Sequence, residues 1–308
     1  GLVRPDFPLV LPEFANPLFL KLMCLALERR GLTRFPRGAS AATNLFSWFL
    51  EATEERLADP RRCDYAVETR LVGRAIDALA RELLARDTEW LPFERAMEIT
   101  GSLLPNRDWS RCLLKGLLDE GVHIRDVVRG EDRQAREAIR FAYQRLGDHA
   151  RAAVLCESEG GVEAIRALVN EWHESPTRLW QCSNLLAALA IHLPERFGCE
   201  LYDLAPDRSL PPIRDAFLTS LVWRRPDAFP SDDKPMMDYL SSIANDSTGY
   251  RDPVLDALLE VSCVPEHPLN AMFLHATLWR RSMAKRDASW TIYLHYNHEA
   301  NTPVGRLV

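Results

Sequence analysis

"DWSRCLLKGLLDEGVHIRDVVRGEDRQAREAIRFAYQRLGDHARAAVLC", residues 108–156, decides the fold of this chain. "DWSRCLLKGLLDEG" carries apolar residues at helical spacing, with Asp108 to cap its start and Gly121 to end it in the left-handed region. "VHIRDVV" alternates apolar and polar side chains and reads as a strand. "RGEDRQAREA" is the polar turn that follows, and "IRFAY" is a second strand. "QRLGDHARAAVLC" returns to helical spacing. Just upstream, "LPFERAMEIT" (91–100) reads as a short helix. Helix, helix, strand, wing, strand is the order of a winged-helix domain with a small β-hairpin, and the sequence places it over residues 63–156.

Moving towards the N-terminus, "VETRLVGRAIDALARELLARD" (67–87) is a long amphipathic helix with Leu71, Ile76, Leu79, Leu83 and Leu84 as its inner stripe. "NLFSWFLEATEERLA" (44–58) is another, with Leu45, Phe46, Phe49 and Leu50 on one side. "FANPLFLKLMCLALERRGL" (14–32) is almost entirely apolar between Asn-Pro and Glu-Arg-Arg-Gly. Asn16 caps this helix, and Pro17 occupies the first helical position, where a missing N–H costs nothing. Arg29 and Arg30 complement its negative end, and Gly31 stops it. Lys21 at its middle, and a length short of the roughly 20 residues of a bilayer span, exclude a membrane helix. Residues 1–62 therefore form a helical, lid-like domain.

On the C-terminal side, "ESEGG" (157–161) is a linker, and only helical patterns follow, separated by Pro-bearing loops. Residues 157–308 read as a solenoid-like run of stacked helices, which makes the whole chain mainly α. A length of 308 residues suits two or three units. The chain opens at Gly1 without an initiator methionine and stops at "NTPVGRLV", and is expected to be a piece of a longer protein. Seven cysteines stand singly, with no Cys-x-x-Cys, which suits a reducing, cytoplasmic setting. Lysine occurs only at Lys21, Lys115, Lys234 and Lys285; the other basic residues are arginines, suited to bidentate pairing with carboxylates.

The chemistry-bearing motifs are sparse. No Gly-Lys pair exists, so a phosphate-gripping loop is absent, as are GxGxxG, GxSxG and HExxH. No catalytic residue is expected. "HYNHEA" places His295 and His298 three apart beside Glu299, without a further ligand at useful spacing, and no metal is expected. Glu54-Glu55 and Asp232-Asp233 read as solvated pairs. Trp48, Trp90, Trp109, Trp172, Trp180, Trp223, Trp279 and Trp290 fall about one per element and read as core anchors. Net charge is −6, and the helix that would enter a DNA groove sets Arg111 and Lys115 against Asp108, Asp119 and Glu120. In the wing, Arg129, Arg133, Arg136 and Arg140 are offset by Glu131, Asp132 and Glu137. Direct nucleic-acid binding is not expected.

Three pieces together carry a resemblance. "NPLFLKLMCLAL" is similar to the helix that follows the nucleotide-binding core in STAND-type NTPases of the NACHT class. A winged-helix order comes next, and "IRFAYQRLGDHARAAVL" resembles the strand-to-helix junction that closes that domain, with the spelling of bacterial antiviral (Avs-type) members. The resemblance covers roughly residues 9–156. It implies that Pro17 touches the adenine, with Asn16 and Leu18 beside it. It makes Phe141 and Leu146 junction core, and puts Asp148 at the acidic position. Tyr143 stands where many such proteins place a histidine that touches the ADP β-phosphate; a phenol donates one hydrogen bond but brings no positive charge. His149, on the following helix, is the alternative. Read from the residues alone, Pro17 is a helix starter and Tyr143 a strand residue packed on the helices.

The implied parent is a switch that binds ATP or ADP with Mg, oligomerises and activates an effector. The helices after Gly161 would begin a sensor for a protein ligand, in that family a phage protein. This chain alone would hold no nucleotide. Two other classes stay open: a protein-binding scaffold of winged helix and helical repeats, and a DNA-binding transcription regulator.

Overall fold

Leu71, Val72, Ala75, Ile76, Leu79, Ala80 and Leu83 recur at helical steps, and none is more than 4 % exposed. A stripe of that density stabilises its helix by burial rather than by propensity, at roughly 25 cal/mol per Å² of apolar surface. In the computed structural model it is a helix from Leu71 to Ala85. The structure describes residues 42–129, 134–246, 252–262 and 267–280, with isolated positions 20, 24, 27, 28 and 31 ahead of them. Asn16, Pro17 and Leu18, and His295, His298 and Glu299, lie outside the described residues.

The chain is mainly helical with one small antiparallel sheet, and it divides into two compact units at Gly161 and Val162. The first contains α1 (Ala42–Ala58, whose first residue belongs to the second unit), α2 (Leu71–Ala85), β1 (Leu91–Pro92), α3 (Phe93–Leu103), α4 (Leu113–Asp119), β2 (His123–Arg129), β3 (Ala135–Phe141) and α5 (Gln144–Glu157). The strands run in the order β1-β3-β2, with Leu91 opposite Ile139 and His123 opposite Phe141. From α2 to β3, with β3 central, this is winged-helix topology. α2 packs on α3 and α5, and α3 packs on α4.

Local readings of the sequence change here in four places. "LPFERAMEIT" opens with a two-residue strand before its helix, because Leu91 is buried against the sheet and Pro92 ends the pairing. The 67–87 helix is broken at its start: Val67–Thr69 is a single 3-10 turn, and Arg70 takes φ +50° before α2 begins. Asp108 does not cap α4. It precedes the 3-10 turn Trp109–Arg111, and Cys112 is the cap, its Sγ accepting the Lys115 N–H at 3.4 Å. Tyr143 is not a strand residue but the extended position immediately before α5.

The second unit is helical throughout its described residues: α6 (Gly161–His173, whose first residue belongs to the first unit), α7 (Pro176–Gln181), α8 (Ser183–Phe197), α9 (Leu201–Leu204), α10 (Pro211–Trp223), α11 (Lys234–Asp246), α12 (Pro253–Ser262) and α13 (Ala271–Trp279). "LWQCSNLLAALAIHL" is two helices meeting at Cys182. α8 packs on α10 and α10 on α12, while α7, α9, α11 and α13 pack beside them. Alternate helices thus stack in succession, the arrangement of a solenoid.

Its polar centre is Arg224, whose side chain is fully buried. The guanidinium forks onto Glu200 with bonds of 2.6 and 2.7 Å, and its Nε donates to Ser220 Oγ at 2.9 Å. Phe217 and Phe229 flank it at 5.4 and 5.8 Å. Planar, bidentate geometry is why arginine and not lysine stands here. Trp172 and Trp223 are core anchors, but Trp109, Trp180 and Trp279 are 42, 54 and 66 % exposed, Trp109 lying against Phe93 and Trp279 against His275 at the surface; Trp290 lies outside the described residues. Among the described residues, no helix is long and apolar enough to cross a membrane.

Candidate functional site

A helix-turn-helix reads DNA through the exposed face of its second, recognition helix, which in the α3–α4 pair is α4. Leu113, Leu114 and Leu117 turn one side of α4 into the domain core. Gly116 lies off that side, and a Cβ built there would come 2.9 Å from a Leu57 methyl and 3.1 Å from Cys63 Sγ. The last turn of α1 and residues 59–64 therefore lie directly on α4, and only glycine lets them approach so closely.

Polar groups fasten this seam. Glu120, just past α4, is clamped by both Arg56 and Arg62, and its side chain is 5 % exposed. Arg111 donates to the carbonyls of Arg62 at 3.0 Å and Pro60 at 2.6 Å, and stands 3.2 Å from the Asp64 carboxylate. Arg107 donates to the Asp64 carbonyl at 2.7 Å. Cys63 Sγ lies 3.6 Å from the Cys112 carbonyl oxygen. Lys115 pairs with Asp119 along α4 itself, and on the strands Arg125 pairs with Glu137 and Arg140 with Asp126. The cations named here, on α4, in the segment that covers it and on the paired strands, already have carboxylate or carbonyl partners.

The second group of predicted residues lies at the β3–α5 junction. Phe141, Leu146 and Asp148 are all buried there. Tyr143 and His149 come together on one ring of α1: Phe46 is 6.0 Å from the phenol and 4.9 Å from the imidazole, centroid to centroid. Burial pushes the Tyr143 hydroxyl up to about 12, so it stays a neutral phenol. Asp148 is also pushed up by burial, against the opposing pull of Arg151, to which it is hydrogen-bonded. Arg145 is pulled down to about 10 by burial. A cavity of about 50 Å³ opens between Leu83, Glu89, Arg140, Phe141, Gln144, Gly147 and Arg151. It has room for water but not for a nucleotide.

Two residues of this unit carry more than their sequence pattern suggested. Glu54, read as solvated, is 7 % exposed; its Oε2 accepts the N–H groups of Val72 at 2.9 Å and Gly73 at 3.4 Å, capping α2 from another helix. Capping across tertiary space leaves no local spacing to detect. His123 is buried beside Phe141, 4.4 Å between ring centroids, with neither ring nitrogen hydrogen-bonded. The alternation of "VHIRDVV" sets it on the same face as the exposed Arg125 and Val127, so the strand pattern gave no sign of its burial. Asp232 and Asp233 are exposed, as the sequence suggested. Among the described residues, no group of three His, Cys, Asp or Glu side chains is close enough to hold a metal ion.

No family model, curated protein or solved structure matches this chain.

Proposed function

We propose that this chain is the regulatory portion of a STAND-type NTPase switch, in which the winged helix packs as a structural element and the helices after Gly161 bind a protein ligand. The observation that carries the regulatory reading is the covered face of α4: a helix fastened to α1 by Glu120, Arg56, Arg62 and Gly116 is suited to transmit movement between helices rather than to read a groove. The assignment to the NACHT class rests on the resemblance across residues 9–156, and with it come ATP or ADP with Mg, self-assembly and a phage protein as the ligand sensed. Phe46, Tyr143 and His149 support that part of the reading, since they group the two candidate nucleotide-facing side chains on one helix. Ligand binding opens such a switch only if it favours the open state by several kcal/mol.

The test is chemical. The natural gene product is purified from its own full reading frame, denatured with acid, and its released nucleotide quantified by chromatography. About one adenine nucleotide per protomer is expected. A preparation that releases none overturns the switch and leaves a protein-binding scaffold.

A further inference from the structure

We propose that Cys63 and Cys112 are a dithiol that hydrogen peroxide converts to a disulfide, stapling α4 to the segment that covers it. The two residues are 49 positions apart, and the fold sets Cys63 Sγ 3.6 Å from the carbonyl oxygen of Cys112. Cys112 holds its own sulfur at the start of α4, where it accepts the Lys115 N–H. Gly116 leaves the space that the Cys63 sulfur fills, since a Cβ there would lie 3.1 Å from it. Burial first, and the neighbouring Cys112 second, push the Cys63 thiol up and disfavour its ionisation, while Arg62, Arg107 and Arg111 act in the opposite sense. Two thiols brought to one seam from distant positions, with three guanidinium groups beside Cys63, differ from cysteines merely packed in a core.

Closed, the seam keeps both thiols buried, at 2 and 8 % exposure. Opening it exposes both sulfurs, and Cys112 gives its proton to solvent to become the thiolate. That thiolate attacks one peroxide oxygen; the O–O bond breaks, and the departing hydroxide takes up a proton to leave as water. The resulting sulfenic acid is attacked by the Cys63 sulfur, the S–S bond forms, and the hydroxyl leaves with the Cys63 proton as a second water. Two thiols lose two electrons, and one peroxide gains them. This inference goes beyond the switch reading and does not depend on it, because the linkage is read from sulfur alone.

The test treats the full chain with hydrogen peroxide, blocks remaining thiols, and maps the non-reducing digest by mass spectrometry. The expected result is a Cys63–Cys112 linked peptide, an intact mass lower by about 2 Da before blocking, and a higher melting temperature that reductant reverses. Cys112→Ser, which keeps an acceptor at the helix start, and Cys63→Ser each abolish the linked peptide. Recovery of Cys63 and Cys112 as blocked thiols while exposed Cys24 is oxidised overturns the proposal, as does either residue linked to a different cysteine.

Discussion

Gly147 has no room for a side chain. A Cβ there would come 2.7 Å from Cδ2 of Phe141, whose ring is already stacked on His123. Gly147→Ala is therefore expected to lower unfolding stability by about 1–3 kcal/mol, measured by urea denaturation, with Phe141→Leu in the same chain recovering part of the loss. Arg224 is the corresponding residue of the second unit. Arg224→Ala leaves Glu200 charged and buried, and should reduce stability by about 3–5 kcal/mol; Arg224→Met with Glu200→Leu should lose much less. A destabilisation under 1 kcal/mol for the single change would mean that the ion pair is not desolvated as described. The arginine-rich composition pointed to forked carboxylate pairs, and Arg224 with Glu200 is one, but nothing in a single sequence says which arginine meets which acid 24 positions away. Tyr143 and, as its alternative, His149 were singled out through the spelling of the junction. Phe46, the ring that unites them, was visible only as one more apolar position of an amphipathic helix.

Helices are the elements that periodicity describes best, because burial of a stripe dominates their formation. α1, α2, α5 and α10 follow their apolar patterns to within a few residues. What the pattern missed was set by partners distant in sequence. β1 exists because Leu91 meets Ile139, and two residues are too few for an alternation to show. α4 is only seven residues long, because residues 109–111 form a separate turn and Cys112 takes the capping role. The exposed rings of Trp109, Trp180 and Trp279 were hidden in the same way, since tryptophan's size alone favoured a core reading. One prediction belongs to this scale. Glu54→Ala removes the acceptor at the start of α2 and should cost about 1–2 kcal/mol. Hydrogen exchange should then rise most at the first-turn amides of α2, Val72 and Gly73 among them; an increase spread evenly over the unit would argue that Glu54 acts through packing instead.

At the scale of the whole chain, three of the buried histidines, His123, His192 and His267, make stability depend on pH. Burial holds His123 and His192 down to about 3, with Arg196 adding to the effect on His192, and holds His267 down to about 4. Each is neutral in the folded chain, whereas in the unfolded chain it takes up a proton near pH 6.5. Below that value the unfolded state binds more protons, so stability is intact near neutrality and is lost as pH falls from about 6.5 towards 4. Each site is expected to contribute a loss on the order of 2 kcal/mol by pH 5. Urea unfolding at pH 7.5, 6 and 5 measures this, and His123→Phe should flatten the dependence of the first unit; an unchanged midpoint from pH 7.5 to 5 would contradict the burial.

At this same scale, the claim that organises the rest is that α4 is closed against α1 and does not read nucleic acid. Fluorescence anisotropy of a labelled mixed-sequence DNA duplex, titrated with the chain at low salt where phosphate contacts are strongest, tests it most directly. The account predicts no saturable rise up to about 100 µM protein, whereas non-specific DNA binders bind at roughly 1–100 µM at physiological salt and more tightly at low salt. Saturable binding that weakens steeply with salt, and that Lys115→Glu abolishes, would contradict it.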